Sequence, residues 1–160
     1  MMKFISPTDG PLDIYSVYKN ILRFITEEPD EHYRLIIGTD SQAGISEVVF
    51  VTAIVIYRVG RGGRFFYNKK IEELRVSMKQ RIFYEASKSL EVASLLTGFF
   101  ADEVDLHDEL KVEIHLDVGE KGPTRDIIRE VVGMVVGSGY EAYIKPESYA
   151  ASTVADKFTK

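Results

Sequence analysis

Cysteine is missing from all 160 residues, which excludes disulfides, thiolate metal sites and cysteine nucleophiles together. No window approaches the roughly 18 uncharged apolar residues that a membrane span needs, so no span is expected. The opening "MMKFISPTDG" lacks an apolar stretch of signal-peptide length, and a cytoplasmic location is expected. Linkers, repeats and low-complexity segments are absent too, so a single domain is expected over residues 1–160. Positive charge is in short supply: 20 Lys and Arg against 25 Asp and Glu leave a net charge of −5. A chain so charged is not built for unspecific, charge-driven duplex binding. It can still reach nucleic acid through a local basic patch or through cations held by carboxylates.

An apolar fraction of 45% is enough for a full core. "SPTDGP" reads as a loop, punctuated by Pro7, Gly10 and Pro11. Apolar residues then recur at helical spacing from Leu12 to Thr26 (Ile14, Val17, Tyr18, Ile21, Leu22, Ile25). Leu35–Thr39 reads as a strand. Val48–Val59 is a second, apolar almost throughout, as expected of a strand covered on both faces. "GRGG" is a hairpin turn, and "RFFYNKKIEE" the third strand of an antiparallel meander. Ser77 and Gln80 form a capping box that opens a long helix, Met78 to about Leu96. "KVEIHLDVG", Lys111–Gly119, alternates strictly and reads as a strand. "GPTRDIIREVVGMVVGSG" is a helix, "YEAYIKP" a short fifth strand, and "SYAASTVADKFTK" a closing helix. The expectation is an α/β fold with a mixed five-stranded sheet, an antiparallel meander plus parallel strands, helices on both faces and an extra N-terminal helix. After that first helix the order resembles that of ribonuclease H-like domains.

In such a sheet the first and fourth strands are parallel neighbours. Asp40 ends the first, in "LIIGTDSQAG", and Asp117 ends the fourth, in "HLDVGEKG". Either alone reads as a turn residue. Side by side they repel unless a proton or a cation joins them. Hard oxygen ligands would select Mg²⁺ or Mn²⁺. Glu85 and Glu91 are the candidates on the long helix. At roughly 100° per residue, Glu85 lies on the rim of the buried face and Glu91 points to solvent, so Glu85 is preferred. Asp156, near Val154 and Phe158, is the fourth candidate.

The strings "FISPTDG", "IIGTDSQ", "FVTAIVIYR", "GRGGRFFY", "RIFYEASKSLEVA", "HLDVGEKGPTRD" and "KPESYAASTVADKFT" together resemble the YkuK-like family of predicted ribonuclease H-like proteins. The resemblance covers nearly the whole chain. It implies a ribonuclease H-like domain with an acidic metal site, and carries the superfamily's acidic positions onto Asp40, Glu85, Asp117 and Asp156. It departs from some ribonucleases H in lacking an appended nucleic-acid-binding module, an aromatic-rich basic protrusion and a histidine just before the final helix.

The expected function is a metal-dependent nuclease, with nucleic acid, DNA or RNA, as partner. Those four residues would be catalytic and would hold two Mg²⁺ or Mn²⁺ ions. Ser41, Gln42, His115, Lys121 and Arg125 are candidate substrate contacts. Lys121 and Arg125 sit in "GEKGPTR", which has no Walker spacing and reads more readily as a plain strand-to-helix loop. His115 reads more readily as a structural histidine. Arg58, Arg61, Arg64, Lys69 and Lys70 cluster around the hairpin, either to track a phosphate backbone or to keep a sheet edge soluble. The alternative function is a non-catalytic binding or scaffold domain of the same fold. A nucleotide-binding domain of the actin and sugar-kinase type fits less well, since the chain is too short for two lobes.

Overall fold

The loop expected over "SPTDGP" narrows to a turn at residues 7–9, and the strands on either side of it open the fold. β1 (Lys3–Ser6) and β2 (Gly10–Asp13) pair antiparallel as a hairpin. Gly10 supplies the turn with φ +74°, and Ser6 Oγ accepts from the N–H groups of Thr8 (3.2 Å) and Asp9 (3.1 Å). Pro11 read as punctuation, but β2 is an edge strand, where proline's missing N–H costs no ladder bond. Four-residue strands are also too short to show a period. In this computed structural model, which describes residues 2–103 and 110–148, the sheet therefore has seven strands rather than five.

The expected N-terminal helix exists as α1 (Ile14–Glu27), but it follows the hairpin instead of opening the chain. Asp13 caps it, accepting from Ser16 N–H at 2.8 Å. The meander is β3 (Tyr33–Ala43), β4 (Val48–Arg58) and β5 (Gly63–Glu72). α2 (Met78–Phe100) starts at the Ser77/Gln80 capping box. Then come β6 (Val112–His115), a 3₁₀ turn (Arg125–Ile127), α3 (Ile128–Gly137) and β7 (Glu141–Tyr143). The sheet order is β2-β1-β5-β4-β3-β6-β7, with β6 parallel to β3 and β7 parallel to β6. The mixed sheet is thus as expected.

Helices were expected on both faces, but the three described α-helices share one core on one face of the sheet, and the clusters on the other face are built from strand residues alone. Val17 and Ile21 of α1, Ala86 and Val92 of α2, and Val131 and Val135 of α3 pack with Leu35, Ile37, Ile54 and Ile114. On the other face, Ile36 and Val55 pack with Tyr57 and Phe65, and Val51 and Ala53 with Val49 and Tyr67. Both faces of β4 are buried, as its unbroken apolar run requires. The helix expected over 148–160 lies, apart from Ser148, outside the described residues. No described helix is long and apolar enough to cross a membrane.

Candidate active site

β3 outruns its parallel neighbour. The β3–β6 ladder ends at Gly38 opposite His115, while β3 continues beside β4 to Ala43. Asp40 therefore does not end its strand; it lies two residues past the last pair with β6. Asp117 does not end a strand either, because β6 stops at His115. It too lies two residues past that pair. Equal offsets on parallel strands bring the two aspartates to one level at the end of the sheet.

Past β6 the chain is fastened to the segment after β7. Leu116 N–H donates to Tyr143 O (2.8 Å), and Lys145 N–H donates to Val118 O (2.9 Å). This brings Lys145 Nζ to 2.7 Å from Asp117 Oδ1.

Glu85 arrives from α2, where it is buried among Ile82, Ala86 and Ser89 on the face toward the sheet; Glu91 is exposed. A run of buried hydroxyls fixes the register of helix on sheet: Thr39 Oγ1 lies 2.8 Å from Ser89 Oγ and 3.0 Å from Thr52 Oγ1. Four residues before Ser89, Glu85 accepts a hydrogen bond from the Ser41 hydroxyl. Arg81 Nη1 approaches Ser41 O (3.4 Å) and Oγ (3.5 Å) from the preceding turn of α2.

Burial pushes the Glu85 carboxyl up to about 8. The Ser41 hydrogen bond pulls the other way, the charges of Asp40 and Asp117 add to the rise, and Arg81 opposes it. Asp40, Glu85 and Asp117 are thus close enough to sense one another. Among the described residues, however, no three Asp, Glu or His side chains converge tightly enough to enclose a metal ion. The donor set still fits a hard divalent cation in its chemistry, since it offers carboxylate and hydroxyl oxygens alone. Asp156 lies outside the described residues.

The other candidates scatter. Gln42 is exposed on β3 beyond Ser41. Lys121 and Arg125 are exposed on the loop after Asp117, where Arg125 lines a shallow cleft with Glu120 and Arg129. His115 is 4% exposed, on the sheet face away from the helices. Its Nε2 lies 3.2 Å from Glu113 Oε1, and its Nδ1 has no hydrogen-bond partner among the described residues. Glu113 is gripped by Arg34 through Nε (2.8 Å) and Nη2 (2.6 Å). Burial alone would raise Glu113, but Arg34 and then His115 outweigh it and bring the carboxyl down to about 2.

The basic hairpin cluster comes apart. Arg58 stacks on Phe24 at 4.0 Å, Arg64 lies 5.4 Å from the same ring, and Arg61 pairs with Glu31 at 2.8 Å. Lys69 and Lys70 sit at the far end of β5, opposite Val51 and Phe50. Two cations at the site escaped the sequence reading, Arg81 and Lys145. Arg81 is legible in hindsight, four residues before Glu85 on one helix. Lys145 has no local signal, because only the pairing beyond β6 and β7 brings it to Asp117.

A family model described as ribonuclease H-like matches residues 16–160. The chain belongs to the ribonuclease H-like family. The match takes in the meander, α2 and the parallel strands. It also takes in residues 149–160, where the fourth carboxylate candidate lies. The chain is similar, at 34% identity, to the uncharacterised protein YkuK of Bacillus subtilis (strain 168), over 98% of this chain and 96% of that protein. The resemblance carried by the sequence motifs is thereby met. No solved structure matches the chain.

Proposed function

We propose that this ribonuclease H-like domain is a metal-dependent nuclease that hydrolyses phosphodiester bonds of DNA or RNA, with its centre at Asp40, Glu85 and Asp117. The observation that carries the reading is the state of Glu85: a buried carboxyl, oriented by Ser41, and raised to about 8 by burial with Asp40 and Asp117 close by. A buried carboxyl raised beside two other acids is a poor arrangement for stability alone and a good one for a cation.

Asp40 and Asp117 would hold the Mg²⁺ or Mn²⁺ ions, with Glu85 and Asp156 completing the set. Bound there, the ions would supply an activated water and charge stabilisation at the leaving oxygen. Ser41 keeps Glu85 turned toward the sheet end. Arg81 lies beside Ser41 and Lys145 beside Asp117, where each can neutralise a phosphate oxygen. Because Lys145 already pairs with Oδ1 of Asp117, its ammonium would compete with a bound cation for that carboxylate.

A second reading, a non-catalytic binding domain, is favoured by that same ion pair, since Lys145 meets part of the carboxylates' need for charge from within. Incubating the protein with single- and double-stranded DNA and RNA, with Mg²⁺ and with Mn²⁺, decides between the two. Cleavage lost in Asp40→Asn supports the nuclease. Cleavage of none of these by wild type, or full activity in the variant, overturns it.

A further inference from the structure

A cleft of about 420 Å³ opens between the N-terminal strand, β5 and α2. Lys3, Lys69, Lys70 and Lys88 line it, with Glu91 the one carboxylate on the lining among the described residues. Glu72, just outside, lies 2.6 Å from Lys88 Nζ and 3.6 Å from Lys70 Nζ, so two ammonium groups share one acid. Lys3 and Lys69 have no ion-pair partner among the described residues. In a chain of net charge −5, this is a local surplus of positive charge.

Its position matters more than its charge. Ser41 pairs with Phe50, and Phe50 pairs with Lys70, across three adjacent strands. Residues paired in this way project from one face of the sheet. That face is the one α2 covers, as the Ser41–Glu85 contact fixes. Two inter-strand steps of about 4.8 Å put Lys70 roughly 10 Å from Ser41. α2 reaches the cleft as well: Lys88, one turn beyond Glu85, holds its ammonium 4.7 Å from the Phe50 ring. Tyr84, beside Glu85, is 41% exposed, and its ring lies 6.2 Å from that of Phe50. Cations within reach of a cleavage centre, with an exposed aromatic between, are what a single strand needs for its phosphates and a base.

We propose that this lysine cleft binds the backbone of a single nucleic-acid strand that runs from it, past Tyr84, to the carboxylates. The proposal deepens the nuclease reading and rests on it for the strand's destination. Lys88 and Lys70 hold the phosphates nearest the centre; Lys69 and Lys3, which alternation directs toward the other face, meet those further along from the rim of the cleft at the edge of β5. As phosphates enter, Lys70 and Lys88 exchange part of their contact with Glu72 for phosphate oxygens.

The test is fluorescence anisotropy with a labelled single-stranded 20-mer in EDTA, so that binding is read without cleavage. Lys69→Gln/Lys70→Gln is expected to weaken binding about tenfold and to flatten the log–log salt slope by about 1.4, two released counterions at about 0.7 each. Arg61→Gln/Arg64→Gln, which removes the same charge at the other end of β5, should bind as wild type. Equal loss in both variants, no loss in the lysine variant, or no binding by wild type overturns the cleft. Cleavage with Mn²⁺ is scored separately. Lysine-dependent binding without cleavage keeps the cleft and sinks the nuclease, and cleavage without lysine-dependent binding does the reverse.

Discussion

The Ser41 hydroxyl donates to Oε2 of Glu85 across 44 residues of sequence, joining β3 to α2 at the end of the sheet. The contact fixes where a buried acid points. Ser41 follows Asp40 directly, so one strand supplies both the partner that orients Glu85 and a negative charge that raises it.

Glu85 makes the metal-free protein sensitive to alkali. Its carboxyl sits at about 8 in the fold against an ordinary 4.5. Between those values the native state holds more protons than the unfolded state, so stability falls as pH rises. Denaturant unfolding in EDTA should show a loss on the order of a few kcal/mol from pH 5 to pH 9. Glu85→Gln keeps an oxygen for Ser41 and carries no charge, so it should remove most of that loss. A wild-type profile flat across this range contradicts the assignment.

Asp40→Asn and Asp117→Asn should each weaken Mn²⁺ binding at least tenfold by calorimetry, since each removes a charged oxygen donor. Glu91→Gln, on the exposed side of α2, should leave the titration unchanged. If Asp40→Asn binds Mn²⁺ as wild type does, any cation site lies elsewhere.

Lys145 holds Asp117, the carboxylate proposed to take a cation, in an ion pair of 2.7 Å. The pair is exposed on the lysine side, where such bridges are worth about 0.2–1 kcal/mol. Lys145→Ala should therefore tighten Mn²⁺ binding by up to about fivefold in the absence of nucleic acid. It should also slow cleavage, because an ammonium that can face the phosphate is gone. Weaker Mn²⁺ binding in this variant would mean that Lys145 positions Asp117 rather than competing for it.

Arg34 guards a buried charge. Its guanidinium makes two hydrogen bonds to Glu113, whose side chain is 7% exposed. Arg34→Met should cost about 3 kcal/mol in denaturant unfolding, since an uncompensated buried carboxylate remains. The pair also sets an acid limit. With Glu113 lowered to about 2, its contribution is complete above its ordinary 4.5 and is lost as pH falls through about 2. The variant should unfold at higher pH on acidification, and a double variant Arg34→Met/Glu113→Gln should recover part of the loss.

The meander, the long helix and its capping box were legible because each is written locally. Val48–Arg58 has an unbroken apolar run, and Ser77 lies three residues before Gln80. Asp40, Glu85 and Asp117 could be chosen as candidates once the element order suggested which strands are neighbours. The β1–β2 hairpin was not legible, because strands of four residues carry no period and Pro11 argues against one. Nor was the split of the basic hairpin cluster. Residues near in sequence on one strand are carried apart along its length, so Arg64 packs on Phe24 while Lys70 reaches the lysine cleft.

By itself the sequence determined the alternation of elements, the absence of thiol chemistry, and the helical phase that buries Glu85 and exposes Glu91. These follow from periods of two and 3.6 and from composition, which need no knowledge of distant neighbours. Only the tertiary structure decided that β3 outruns β6, that Lys145 reaches Asp117, that Ser41 holds Glu85, and that Lys3, Lys70 and Lys88 share one cleft. Each of these joins residues from different elements. Such contacts are set by strand register and by the docking of helix on sheet, which no local stretch of chain encodes.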